Sequence, residues 1–201
     1  MAISKLEFRG GHVAVEFVNT VAWRGDPART VDHLDGYSDL LDWAALTGVV
    51  DTPERFALRS AADHARAAAG KALSDARRLR EQLHAMWTGD GEQREAVSTA
   101  FGRAATRRRL RSDGDRVYWT ERELGLRTPA DRIVIAAVEL CTAVAPSAIR
   151  ACGDTECGWL FLDASPRQNR RWCSTADCGN RARVRRHYRR SRKPAAVATK
   201  T

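Results

Sequence analysis

Four cysteines set the strongest constraint on how this chain can fold. They form two evenly spaced pairs, Cys152-x4-Cys157 and Cys173-x4-Cys178, separated by fifteen residues, and the chain has only one other cysteine, Cys141. Paired thiols at short, repeated spacing offer the four soft ligands of a tetrahedral structural zinc site, which has no open position left for a substrate. Few apolar residues accompany them, mainly Trp159, Leu160, Phe161, Leu162 and Trp172. A segment so poor in core would draw much of its folding free energy from one bound Zn2+, on the order of 10–16 kcal/mol in isolated fingers. The sequence starts without an apolar leader and contains no run near the ~20 residues of a membrane span. The expectation is therefore a cytoplasmic protein with no membrane partner, where reduced thiols favour metal over disulfides.

Charge singles out the same region. The chain carries +9 overall, and residues 150–193 hold eleven arginines and one lysine against Asp154, Glu156, Asp163 and Asp177, a net of +8. Residues 1–149 are neutral, with equal numbers of basic and acidic side chains. A polyanionic partner would be met by the C-terminal fifth of the chain. A helix starting near Cys178 places Arg181, Arg183, Arg185, Arg186, Arg189, Arg190 and Arg192 on one wide arc and leaves Val184 and Tyr188 on the narrow face, to pack on the zinc knuckle. Arg170, Arg171 and Asn180 complete the candidate nucleic-acid contacts. Gly158 and Gly179, each directly after a ligand, suit tight turns in which backbone N–H groups approach sulfur.

Upstream, the pattern is mostly helical. Val13 to Val21 fits both a helical and an alternating period and is read as a helix. Residues 25–36 read as loop. Ser38 or Asp39 caps a short helix, Thr52-Pro53-Glu54 opens a long alanine-rich one that Gly70 divides, and Gly89-Asp90-Gly91 ends it. A further helix follows from Glu92 to about Thr106. Arg109 to Thr120 reads as a β-hairpin around an Asp-Gly turn. Thr128-Pro129 starts a helix whose Ile133, Ile135, Val138 and Leu140 are too apolar for a surface position, and Pro146 closes it. These elements give an α+β, mostly helical chain: a helical domain over 1–147 with a small β-hairpin, a zinc module over 148–193, and a disordered tail over 194–201. His12, Glu16, Asn19 and Arg24 cluster in sequence as a candidate ligand pocket, with no nucleophile or metal spacing among them. No catalytic constellation is recognisable, so no enzymatic activity is expected.

The run Trp172-Cys173-Ser174-x3-Cys178-Gly179-Asn180-Arg181, with Phe161-Leu162-Asp163-x-Ser165 before it, resembles the CGNR zinc finger. Gly10-Gly11 and Phe17-Val18-Asn19-Thr20-Val21 resemble the start of the ABATE domain that usually precedes that finger. The resemblance implies a treble-clef-like module with the four cysteines as ligands, and a stress-response transcription regulator that binds DNA. Three alternatives remain open at this level. The module could serve RNA or the ribosome, the helical domain could be a small-molecule binder or an enzyme with purely structural zinc, and the chain could form a homodimer.

Overall fold

The computed structural model describes residues 7–89 and 93–191 of the chain. The expected turn at Asp90-Gly91, the helix start at Glu92, Arg192 and the tail 194–201 lie outside the described residues. Seven helices and three two-stranded antiparallel ribbons are described. The mostly helical reading with small hairpins is borne out.

The first segment is helical as expected, but only as far as Val18. His12 caps helix α1, Val13–Val18, and the chain then extends into strand β1, Val21–Ala22. Strand β2, Val31–Asp32, pairs with β1 inside the stretch expected to be loop. Two residues carry no readable period, which is why the sequence concealed it.

Helix α2, Tyr37–Leu46, begins after Gly36, whose N–H donates to the Asp39 carboxylate at 2.7 Å. Helix α3, Thr52–His64, is capped by Asp51: the Glu54 N–H donates to Asp51 and the Asp51 N–H donates to Glu54, a reciprocal box with Pro53 in the first turn. The expected division at Gly70 falls instead at Ala65, whose non-helical backbone (φ −132°, ψ 57°) separates α3 from helix α4, Arg66–Thr88. A helix interior tolerates one glycine at about 1 kcal/mol, so Gly70 alone does not break it.

Helix α5, Gln93–Thr106, leads into the expected hairpin, β3, Arg108–Asp113, and β4, Arg116–Glu121. Gly114 supplies the positive φ (56°) that its two-residue loop needs. Helix α6, Thr128–Ala143, runs through the middle of the bundle and packs on α1, α2, α4 and α5. Ile133, Val134 and Ala137 are fully buried there, and Phe17 of α1 meets Trp43 of α2 at 5.4 Å between ring centres. A short 3-10 turn at Pro146–Ala148 then carries the chain into the ribbon formed by β5, Ile149–Ala151, and β6, Leu160–Leu162. Ile149 and Leu160 are buried with the helical core, while Phe161 is buried among the cysteines.

Candidate metal centre and basic helix

The β5–β6 ribbon holds the first cysteine pair in its connecting loop. Cys152 follows β5 directly and donates its N–H to the Trp159 carbonyl at 2.8 Å; the Cys157 N–H donates to the Asp154 carbonyl at 2.9 Å. In the second pair Cys173 precedes a wide turn, Thr175–Gly179, and Cys178 lies within it; the turn is capped by the Ser174 hydroxyl, which accepts from the Asp177 N–H at 3.1 Å. Helix α7, Asn180–Ser191, follows immediately.

These two loops bring Cys152, Cys157, Cys173 and Cys178 together, all buried, with their sulfurs within 4.8 Å of one another. A tetrahedron with Zn–S bonds of about 2.3 Å has edges of roughly 3.8 Å. Cys157 and Cys173 stand 3.7 Å apart, and Cys173 and Cys178 stand 3.4 Å apart, far longer than the ~2.05 Å of a disulfide. The donor set therefore fits one zinc ion with four thiolate ligands. Neighbouring Cys152 and Cys157 push the Cys173 and Cys178 thiols up, because sulfurs this close resist carrying four negative charges unless a cation lies between them.

Both glycines after ligands sit in close quarters, and Gly158 is required, for reasons only partly foreseen. Gly158 has φ 69°, and a Cβ there would lie 2.5 Å from the Arg24 Cβ. Gly179 lies under Trp172, and its N–H donates to the Ser174 carbonyl rather than to sulfur. An N–H that does reach sulfur is that of Cys173, 3.4 Å from the Cys152 Sγ.

The arginines of α7 divide in a way that reverses the expected packing. Asp154, 1% exposed, accepts from Arg181 Nε at 3.0 Å and also from Arg185. Arg185 further pairs with Glu156 at 3.1 Å, and Arg181 Nη2 lies 2.9 Å from the Cys178 Sγ and stacks over Trp23 at 4.7 Å. The inner face of α7 is thus guanidinium, while Val184 and Tyr188, expected on the knuckle, are 45% and 63% exposed. The cause is electrostatic. A four-thiolate zinc centre carries about −2, and beside Asp154 and Glu156 it stabilises cations far more than apolar groups.

Arg183 and Arg186 point outward, exposed, with no carboxylate partner among the described residues. Arg189 and Arg190 continue the helix, and Asn180 is exposed at its start. Arg170 is a clamp: its guanidinium donates to the Trp172 and Cys173 carbonyls and lies 4.4 Å from the Phe161 ring centre. Arg171 is exposed and lies over Trp172.

The sequence-predicted pocket residues each serve the chain itself. His12 caps α1 through Nδ1. Glu16 accepts from the Gly10 and Gly11 N–H groups, and its burial nevertheless pushes its carboxyl pKa up. Asn19 grips Leu160 at both backbone groups, each at 2.9 Å. Arg24 pairs with Glu81 of α4 at 2.5 Å and donates to the Val18 carbonyl. A different set, Trp23, Val31, His33 and Trp159 among them, walls a cleft of about 340 Å³ whose floor includes three of the cysteines. Sequence reasoning missed Asp154, Glu156 and Trp23. The readable signal was an acidic residue two positions after the first ligand in an otherwise basic segment.

Comparison with protein-family models agrees with this geometry. Residues 148–191 match the CGNR zinc finger, and residues 11–153 match ABATE, described as "Putative stress-induced transcription regulator". No curated protein matches the sequence.

Proposed function

This chain belongs to the ABATE family, and from that membership and the geometry of α7 we propose that it is a DNA-binding transcription regulator. The zinc centre is structural in this reading and the chain performs no catalysis. The β5–β6 ribbon, the second cysteine turn and α7 together act as a treble-clef-like unit that presents the outer face of α7 to the phosphate backbone.

One observation carries the proposal. Residues 150–193 keep a net +8 after their own four acids are counted: Arg181 and Arg185 use two of those acids to hold the helix in place, while Arg183 and Arg186 remain exposed beside them. Guanidinium groups on a rigid helix suit bidentate contact with phosphate, and each such contact releases condensed counterion.

The test is fluorescence anisotropy of zinc-loaded protein on duplex DNA over a range of salt. Affinity should fall steeply with salt, and the Arg183→Ala, Arg186→Ala double variant should lose about 2 units of log–log slope, near 0.9 for each phosphate contact. Binding that ignores salt, or a slope unchanged in the double variant, would refute it. Structured RNA added as competitor at the same ionic strength separates duplex DNA from an RNA target.

A further inference from the structure

A second cleft lies in the helical part of the molecule, between α4, α5 and α6, with a volume of about 400 Å³. Helix-bundle interstices of this size are where small-molecule sites form. Its partly exposed apolar lining is Ala96 and Ala100 of α5 and Ala130 of α6, lying over the buried Leu79 and Val134. Its charged lining is excessively cationic. Asp75 alone serves three cations, Lys71 at 3.1 Å, Arg78 at 3.3 Å and Arg127 at 2.8 Å. Asp131 is occupied by Arg107 through two hydrogen bonds. Arg103 also lines the cleft and has no carboxylate partner among the described residues. Glu95 is the remaining acid, which leaves the lining at +2.

From this juxtaposition of an apolar wall and an under-neutralised guanidinium cluster, we propose that the cleft binds a small amphipathic anion, a carboxylate or sulfonate with an apolar body. The acid group sits against Arg103 and the Arg127 side of the cleft, where it supplies the missing counter-charge. The apolar body covers Ala96, Ala100 and Ala130. A simple inorganic anion would leave that wall wet, and a neutral apolar molecule would leave the cations unmatched. The site gives the helical part a ligand class, and it rests on none of the arginines assigned to nucleic acid.

The probe is anilinonaphthalene sulfonate, an amphipathic anion whose fluorescence rises in apolar surroundings, titrated into the zinc-loaded full chain. One saturable dye per chain is expected, displaced by decanoate and not by inorganic phosphate at equal ionic strength. Arg103→Gln should weaken it at least about tenfold, the loss of a hydrogen bond to a charged group. Thr99→Trp, an exposed lining position on α5, should abolish it by filling the cleft. Both changes lie on the exposed side of a helix, and helical circular dichroism confirms that each variant is folded. Absence of saturable binding overturns the proposal, as does displacement by phosphate. Sensitivity to only one of the two variants also overturns it, because a charge effect without a filled cleft, or the reverse, is not this site. The Arg183→Ala, Arg186→Ala variant should bind dye normally, so failure here and failure of the nucleic-acid reading are separate results.

Discussion

Replacing Asp154 with asparagine tests whether α7 is positioned or merely charged. The side chain keeps its volume and one acceptor oxygen and loses the charge that Arg181 and Arg185 share. A hydrogen bond to a charged group contributes about 1.5–3 kcal/mol, and removing one partner of a fully buried pair costs about 3–5 kcal/mol. Asp154 is buried, but the two arginines are 34% and 37% exposed at their side chains, so water replaces part of what they lose. A cost of about 2–3 kcal/mol follows, confined to the docking of α7 on the knuckle. That is roughly a 30- to 150-fold rise in the population of the undocked helix. Hydrogen exchange should report it as faster exchange across 180–191 with little change in α6 and with zinc content unchanged. The effect on DNA discriminates further. The substitution raises the net charge by one, so charge alone predicts tighter binding, whereas loss of a positioned helix predicts weaker binding. Unchanged exchange in α7, or tighter DNA binding, would refute the positioning argument.

Other consequences follow from the same contacts. Asn19→Ala leaves the Leu160 N–H and C=O buried without partners and should cost about 2–6 kcal/mol in urea unfolding, at about 1–3 kcal/mol for each orphaned group. Glu54 and Glu121 are both held below the usual carboxylate range, chiefly by hydrogen bonds from Arg132. Their folded pKa values lie below their unfolded ones, so the stability they contribute is present above pH ~4.3 and is lost as pH falls through the depressed folded values. Arg132→Gln should flatten that acid limb in urea midpoints measured against pH. Chelation should remove one zinc per chain and change the near-ultraviolet dichroism of Trp159 and Trp172, which pack against the cysteine cluster; spectra unaffected by a chelator that strips the metal would contradict a folding role for it.

The metal centre was legible because ligand chemistry is written in spacing: four thiols in two x4 pairs leave few alternatives, and their sulfurs meet at tetrahedral distances. The helix start at Thr52-Pro53-Glu54, the hairpin at Gly114 and the buried α6 were legible for similar local reasons, while Asp51 as the cap of that helix was not read. What stayed hidden depends on long-range partners. A helical wheel ranks faces by polarity, and on that scale Val184 and Tyr188 should face inward. It cannot register that the surface waiting for α7 is a thiolate cluster with a buried aspartate. Gly70 misled for the opposite reason, as a local breaker that a 23-residue helix absorbs. Asn19 looked like a ligand-pocket residue because its partners, at Leu160, lie 141 positions away.

The loop between the first two ligands connects the two halves of the molecule. On one side a Cβ at Gly25 would lie 1.8 Å from the Thr155 carbonyl, and one at Gly158 would strike Arg24, so backbone rests on backbone. On the other side Asp154 and Glu156 of the same loop hold Arg185. Arg24 in turn pairs with Glu81 of α4, which also holds Arg80, a side chain 4% exposed. A rigid path of contacts therefore runs from α4 through Arg24 and the ligand loop to α7. The zinc ion's ligands fix the loop's shape, so they set at once how the N-terminal segment seats and where the arginines of α7 are held. Arg181 also stacks on Trp23 and Arg29 pairs with Glu156 at 3.5 Å, so the N-terminal segment meets α7 and the ligand loop directly as well as through the Arg24–Gly158 contact, and the seating of the two parts rests on all of these together.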